Sequence, residues 1–152
     1  MSDYWGHFKN NLLVLMIWVK EHAQPSAAQR VLNSVFEFIF IFANAEFPTR
    51  AIKTGKNFRG TIQNIYRLNP IGKKDPLAKD HGAVFPVQFA EFFVDQFSDK
   101  SVYDPFGGSG TTVIACEKTG RKCFTMELNH TYASVIIKRW ENFTGKSAQL
   151  VS

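Results

Sequence analysis

The chain opens with two almost uninterrupted apolar runs and closes on an alternation of short strand-like and longer helix-like segments. Asp3 to Asn11 fits one short helix. Leu13 to Val19 then reads as a buried strand, continuous in Val, Leu, Ile and Trp. Lys20-Glu-His-Ala-Gln-Pro-Ser26 ends it, Gln29 to Asn33 reads as a turn, and Phe36 to Phe42 is a second strand with one acid, Glu37, near its start. These two runs are expected to lie as neighbours in one sheet. From Glu46 to Asp80 the pattern turns polar and basic, punctuated by Gly55, Gly60, Pro70 and Gly72, with a short strand over Thr61 to Leu68. Phe85, Phe89, Phe92, Phe93 and Phe97 then recur at helical spacing, Pro86 being allowed in the first turn. A strand at Val102–Tyr103 follows, then a glycine turn and a helix over Thr111–Lys118. A second turn at Thr119-Gly120 leads to a strand running to Glu127 and a last helix over Thr131–Phe143. Strands and helices in this order predict an α/β fold, mostly parallel in its sheet and covered by helices on both faces.

Composition narrows this picture. A chain of 152 residues predicts one domain with a real core. Hydrophobic residues make up 45% and charged residues 20%, which excludes wholesale disorder. The 15 Phe fall in clustered runs, which read as buried strand and helix faces rather than as a platform for stacked bases. The formal charge of +5 favours an anionic partner. Between Phe47 and Lys79 the basic residues Arg50, Lys53, Lys56, Arg59, Arg67, Lys73, Lys74 and Lys79 face a single acid, Asp75. That segment is either a solvated loop or a surface that meets phosphates. Two cysteines, Cys116 and Cys123, are too few for a disulfide framework or a zinc site and read as small core residues of a reducing, cytoplasmic compartment. The apolar run before Lys20 is shorter than a membrane span and carries no cleavage signal, so neither a signal peptide nor a membrane helix is expected.

The candidate chemistry sits in Ser101-Val-Tyr-Asp-Pro-Phe-Gly-Gly-Ser-Gly-Thr-Thr-Val113, where a strand passes through glycines into a helix. Such a turn lets the backbone take positive φ, and the helix offers unpaired N–H groups to a polar ligand. About twenty residues on, Arg121-Lys-Cys-Phe-Thr-Met-Glu127 reads as a strand ending in a carboxylate, the usual place for an acid that grips ribose hydroxyls. The turn lacks the Gly-Lys-Ser/Thr ending of a phosphate loop, and Gly107-Gly-Ser-Gly110 is not the Gly-x-Gly-x-x-Gly of dinucleotide proteins.

Asp104-Pro-Phe-Gly-Gly-Ser-Gly-Thr-Thr112 resembles the S-adenosylmethionine motif of the DNA methyltransferases that modify the exocyclic amine of adenine or cytosine. His81-Gly-Ala-Val-Phe-Pro86 is similar to the element that precedes that motif, and Gly120 to Tyr132 resembles the strand with the ribose-binding acid. Arg139-Trp-Glu-Asn-Phe-Thr-Gly145 resembles the closing helix of the group whose target-recognition part precedes the cofactor half. Trp18-Val-Lys20 and Phe36-Glu-Phe-Ile-Phe40 resemble strands of the catalytic half. The resemblance implies a Rossmann-like methyltransferase fold in a single domain. Residues 1–46 would belong to the catalytic half, 47–80 to a basic connection, and 81–145 to the cofactor-binding half.

The same resemblance assigns His81, Phe85 and Pro86 to the methionine end of the cofactor site. It assigns Asp104, Pro105, Phe106, Gly107, Gly108, Ser109, Gly110, Thr111 and Thr112 to the site's floor and turn, and Glu127 with Leu128 to the nucleoside end. Asp104 either contacts the ligand or only shapes the turn, and His81 holds local geometry rather than acting as a base. Arg50, Lys53, Lys56, Arg59, Arg67, Lys73 and Lys74 become candidate DNA contacts. No metal is implied.

In this family the target amine is held by an Asp/Asn/Ser-Pro-Pro-Tyr/Phe tetrapeptide, and these 152 residues contain none. Asn69-Pro-Ile and Asp75-Pro-Leu lack the second proline and the ring. No catalytic residue is therefore assigned. The family order puts that tetrapeptide upstream, which predicts a portion of a longer enzyme: a split subunit or truncated gene whose partner, or self-association through an exposed sheet edge, completes it. The competing expectation is a remnant that binds cofactor or DNA without transfer. The closing-helix sequence favours adenine over cytosine.

Overall fold

The computed structural model describes residues 12–20, 32, 34–42, 62–68 and 85–151. The helix expected over Asp3–Asn11 and most of the turn expected over Gln29–Asn33 lie outside them. The chain divides into two compact units, one holding the described residues up to Leu68 and the other those from Phe85 on.

In the first unit β1 (Leu12–Val19) pairs antiparallel with β2 (Phe36–Phe42) and parallel with β3 (Ile65–Arg67), giving the order β2-β1-β3. The two apolar runs are thus neighbours, as expected. β3 keeps only three residues of the strand expected over Thr61–Leu68. The register sets Trp18 opposite Glu37 and Met16 opposite Ile39, and it sets Ile17 opposite Phe38 and Leu15 opposite Phe40. Because side chains alternate between faces, one face carries Met16 and Trp18, which are buried at 2% and 5% exposure. The other carries Phe36, Phe38, Phe40 and Phe42, whose rings follow one another at centroid distances of 5.2, 6.3 and 6.4 Å. This corrects the reading of that run as buried: the four rings stand 40–55% exposed. An apolar run specifies a strand, but whether a second layer covers it depends on what packs there. Trp18 Nε1 donates to the Leu68 carbonyl at 2.7 Å, while the Lys20 ammonium lies 4.8 Å from the Trp18 ring and pairs with Glu37.

The second unit is a helix followed by a βαβ element and a closing helix. These are α1 (Val87–Phe97), β4 (Ser101–Asp104), α2 (Thr111–Thr119), β5 (Lys122–Thr125) and α3 (His130–Thr144). α1 starts after Pro86, which serves as its N-cap instead of lying in the first turn. β4 and β5 run parallel, with Val102 beside Cys123 and Tyr103 beside Phe124. Val102 and Cys123 face inward onto a core of Ala90 and Val94 from α1 and Ala115 and Cys116 from α2, which Phe85 and Val87 also join. Tyr103 and Phe124 point the other way, 61% and 58% exposed. Among the described residues two of the three strand pairings, β1–β3 and β4–β5, are parallel and β1–β2 is antiparallel, so the mixed α/β character and the mainly parallel pairing are as expected; α1 and α2 pack on the Val102–Cys123 face of the second sheet. β5 also stops at Thr125, leaving Glu127 two residues beyond the strand.

Candidate functional site

The parallel pair delivers two loops to the same end of the strands. One is Pro105–Gly110, after β4; the other is Met126–Asn129, after β5. Backbone bonds lace them together. The Met126 N–H donates to the Asp104 carbonyl at 3.0 Å, and the Gly107 N–H donates to the Met126 carbonyl at 2.8 Å. Beyond that point the pairing passes to a side chain. The Gly108 N–H donates to Glu127 Oε2 at 2.7 Å, and the Asn129 N–H donates to Glu127 Oε1 at 2.9 Å. Both oxygens of the acid are thus fixed by backbone amides, which orients the carboxylate at the loop junction.

Each loop is also closed on itself. Asp104 Oδ1 accepts the Phe106 N–H at 3.0 Å, so this carboxylate shapes the turn. The Gly110 N–H returns to the Gly107 carbonyl at 2.8 Å. Gly108 and Gly110 take φ values of +54° and +81°, which glycine adopts without penalty. On the other side Asn129 caps α3, its Oδ1 accepting the N–H groups of Thr131 and Tyr132 at 2.9 and 3.4 Å. A cavity of about 610 Å³ opens along Glu127, Leu128, Asn129, His130, Thr131 and Tyr132. Phe106 and Leu128, each beside one loop's anchor, are 86% and 95% exposed.

The glycines divide into two roles. A Cβ on Gly107 would overlap Thr125 Oγ1 and sit 2.9 Å from Ile136 Cδ1, and one on Gly110 would sit 3.2 Å from Ile136 Cγ1 and Cγ2. Gly107 and Gly110 are therefore required by the approach of β5 and α3 from behind. Gly108 is the glycine whose amide faces the acid. Ser109 and Thr111 are likewise turned inward, 5% and 4% exposed, where they accept hydrogen bonds from Arg139 Nη1. Thr125 Oγ1 is buried under the turn with no hydrogen-bond partner among the described residues.

Asp104 closes β4, and Pro105, Phe106, Gly107, Gly108, Ser109, Gly110, Thr111, Thr112, Glu127 and Leu128 fall on the two loops and the start of α2. Phe85 lies against the core behind the strands, in ring contact with Phe89 at 5.3 Å, and Pro86 is buried at the start of α1. His81, Arg50, Lys53, Lys56, Arg59, Lys73 and Lys74 lie outside the described residues; Arg67 is exposed on β3. Ile136, Arg139 and Asn129 were not anticipated as site residues. Asn129 carried a legible signal, a helix-capping residue just before the last periodic segment. Arg139 did not, since an arginine in an amphipathic helix reads as surface.

Burial governs the nearby thiols. Cys123 is pushed up to about 12, first by burial and then by its neighbour Cys116, and Cys116 is raised by burial as well. Both are free thiols, and the burial that favours the neutral form works against thiolate reactivity.

A family described as DNA methylase, the N6/N4 group, matches residues 3–139 of the chain. The type II methyltransferase M.SmaI of Serratia marcescens is 32% identical over 136 residues, which cover 82% of this chain and 44% of that protein. Among solved structures, the PvuII cytosine-N4-specific DNA methyltransferase superposes with a TM-score of 0.69 at 20% identity, covering 86% of this chain and 51% of that one. M1.HpyAVI in complex with SAM gives 0.62 at 24% identity, covering 84% and 61%. The chain thus spans about half the length of such relatives.

Proposed function

The chain belongs to the N6/N4 DNA methylase family, and on that premise we propose that it forms the S-adenosylmethionine-binding part of a DNA amino-methyltransferase. The observation that carries the reading is Glu127, held between the Gly108 and Asn129 amides and lining the cavity that runs on to Tyr132. A carboxylate has about four acceptor positions, so an acid oriented by two amides suits the paired hydroxyls of a ribose. The exposed Phe106 and Leu128 suit the flat faces of a nucleoside. The donor set therefore fits the cofactor.

In this reading Glu127 binds the ribose, Leu128 and Phe106 shield the nucleoside from water, and Gly108 lets the chain pass close to the ligand. Asp104 acts by holding the turn. When bound, S-adenosylmethionine supplies an electrophilic methyl on a positively charged sulfur, so no metal is needed for activation. The contribution of this chain is position: the methyl must be presented in line to an exocyclic amine that base flipping brings out of the duplex. The tetrapeptide that would hold that amine comes from outside these 152 residues, from a partner or another part of the enzyme. The basic residues between Arg50 and Lys74 would bind phosphates there. Adenine N6 is the base favoured by the Arg139–Gly145 sequence.

The test is calorimetric titration of the chain with S-adenosylhomocysteine, with Glu127→Ala alongside. Micromolar binding lost in the variant supports the reading; a folded wild type that binds nothing defeats it. With the complementing polypeptide present, hydrolysis of methylated DNA and identification of the modified nucleoside decide between adenine and cytosine. DNA binding without any methyl transfer in that mixture would favour the remnant reading instead.

A further inference from the structure

Arg139 is the one charged side chain among the buried residues of α3, at 6% exposure. Its Nη1 donates to the Ser109 carbonyl at 3.0 Å, to Thr111 Oγ1 at 3.1 Å and to Ser109 Oγ at 3.3 Å. The acceptors belong to buried residues, so water cannot readily replace the guanidinium as donor. One nitrogen thereby ties the end of the glycine turn to the first residue of α2. Three residues earlier on the same helical face, Ile136 occupies the space left by the missing side chains of Gly107 and Gly110.

Two physical points make this more than packing. First, a cation near the N-terminus of a helix opposes the helix dipole. The field of α2 does not attract Arg139 to this place; the carbonyl and the two hydroxyls hold it there, through charge-assisted bonds of the stronger kind. Second, Gly108 and Gly110 both adopt positive φ, and glycine, having little conformational preference of its own, must be held in one state by its surroundings. The residue between them, Ser109, is the one Arg139 grips. Its neighbour Gly108 presents the N–H that meets Glu127.

We propose that Arg139 is a positioning residue: it clamps Ser109 and Thr111 from behind, fixes the Gly108–Gly110 turn, and so keeps the Gly108 amide and Glu127 in the arrangement that receives the nucleoside. It acts on affinity without touching the ligand. The proposal rests on the cofactor reading above for the ligand but not for the clamp.

The experiment compares wild type, Arg139→Met and Arg139→Lys. Met keeps the aliphatic length and removes every donor; Lys keeps the charge and a donor. Amide hydrogen exchange is read at Gly108 and Gly110 without ligand, and the Kd for S-adenosylhomocysteine is measured by calorimetry. Arg139→Met is expected to speed exchange at those two amides tenfold or more over the change in α1, and to weaken binding at least tenfold. Arg139→Lys recovers most of both. Unchanged turn protection in Arg139→Met, or failure of Lys to recover it, overturns the clamp. A folded wild type that binds no ligand defeats the cofactor reading, and the exchange data then decide the clamp alone. Should Arg139→Met not fold, the double variant Ser109→Ala, Thr111→Val, which removes both hydroxyl acceptors of the guanidinium, is read by the same exchange measurement, and unchanged protection at Gly108 and Gly110 overturns the clamp.

Discussion

The Gly108 N–H and the Glu127 carboxylate meet at 2.7 Å across 19 residues of sequence, where the backbone pairing of β4 and β5 gives out and a side chain takes it over. The same acid receives the Asn129 N–H, so its removal strips partners from both loops. Hydrogen bonds to a charged group contribute about 1.5–3 kcal/mol each. Glu127→Ala is expected to weaken S-adenosylhomocysteine binding about a hundredfold in a calorimetric titration, with Glu127→Gln intermediate. A loss below threefold would mean that the acid does not hold the ligand.

Thr125 Oγ1 is buried beneath Gly107 without a partner among the described residues. A buried hydroxyl in that condition costs about 1–3 kcal/mol relative to a satisfied one. Thr125→Val, which keeps the shape, is expected to raise the thermal midpoint, whereas Gly107→Ala should lower it because its Cβ would run into Thr125 and Ile136. Differential scanning calorimetry of the two variants gives opposite signs if the packing is as described.

The thiol of Cys123 is raised from an ordinary value of 9.0 to about 12 by burial. Its neutral form is therefore favoured in the folded chain. The associated stability is fully present below pH 9 and is lost as pH rises toward 12, with a limiting slope of about 1.4 kcal/mol per pH unit for one proton; partial burial keeps the real slope below that. Urea unfolding of wild type and Cys123→Ala between pH 8 and 11 should show a steeper decline in the wild type. At pH 8 both thiols should label with a disulfide reagent only as the chain unfolds.

For the basic segment the expected signature is dependence on salt. Replacing Lys73 and Lys74 by alanine should reduce the slope of log K against log salt for duplex DNA by about 0.9 for each phosphate no longer neutralised, with similar weakening on unrelated sequences. An unchanged slope would assign these lysines to a solvated loop.

Local order was legible along the chain. Val, Ile and Trp in unbroken series mark β1, the Phe spacing marks α1, and the glycines between an Asp-Pro-Phe and a Thr-Thr mark the loop that starts α2. Those features act through neighbours a few residues apart, so composition and spacing carry them. Even the carboxylate at Glu127 could be anticipated, because a parallel βαβ unit brings the ends of its two strands together. Coverage and direction could not. Phe36 to Phe42 reads as core, yet which face meets a second layer depends on residues remote in sequence, and the rings stand partly exposed. Gly107 and Gly110 look like concessions to a ligand, and only the arrival of Ile136 shows that they make room for a helix. Arg139 looks like surface until α3 packs and turns it onto Ser109 and Thr111. Secondary structure and motif were set by short-range preferences, whereas the inward or outward sense of each side chain was set by long-range packing, which no local pattern encodes.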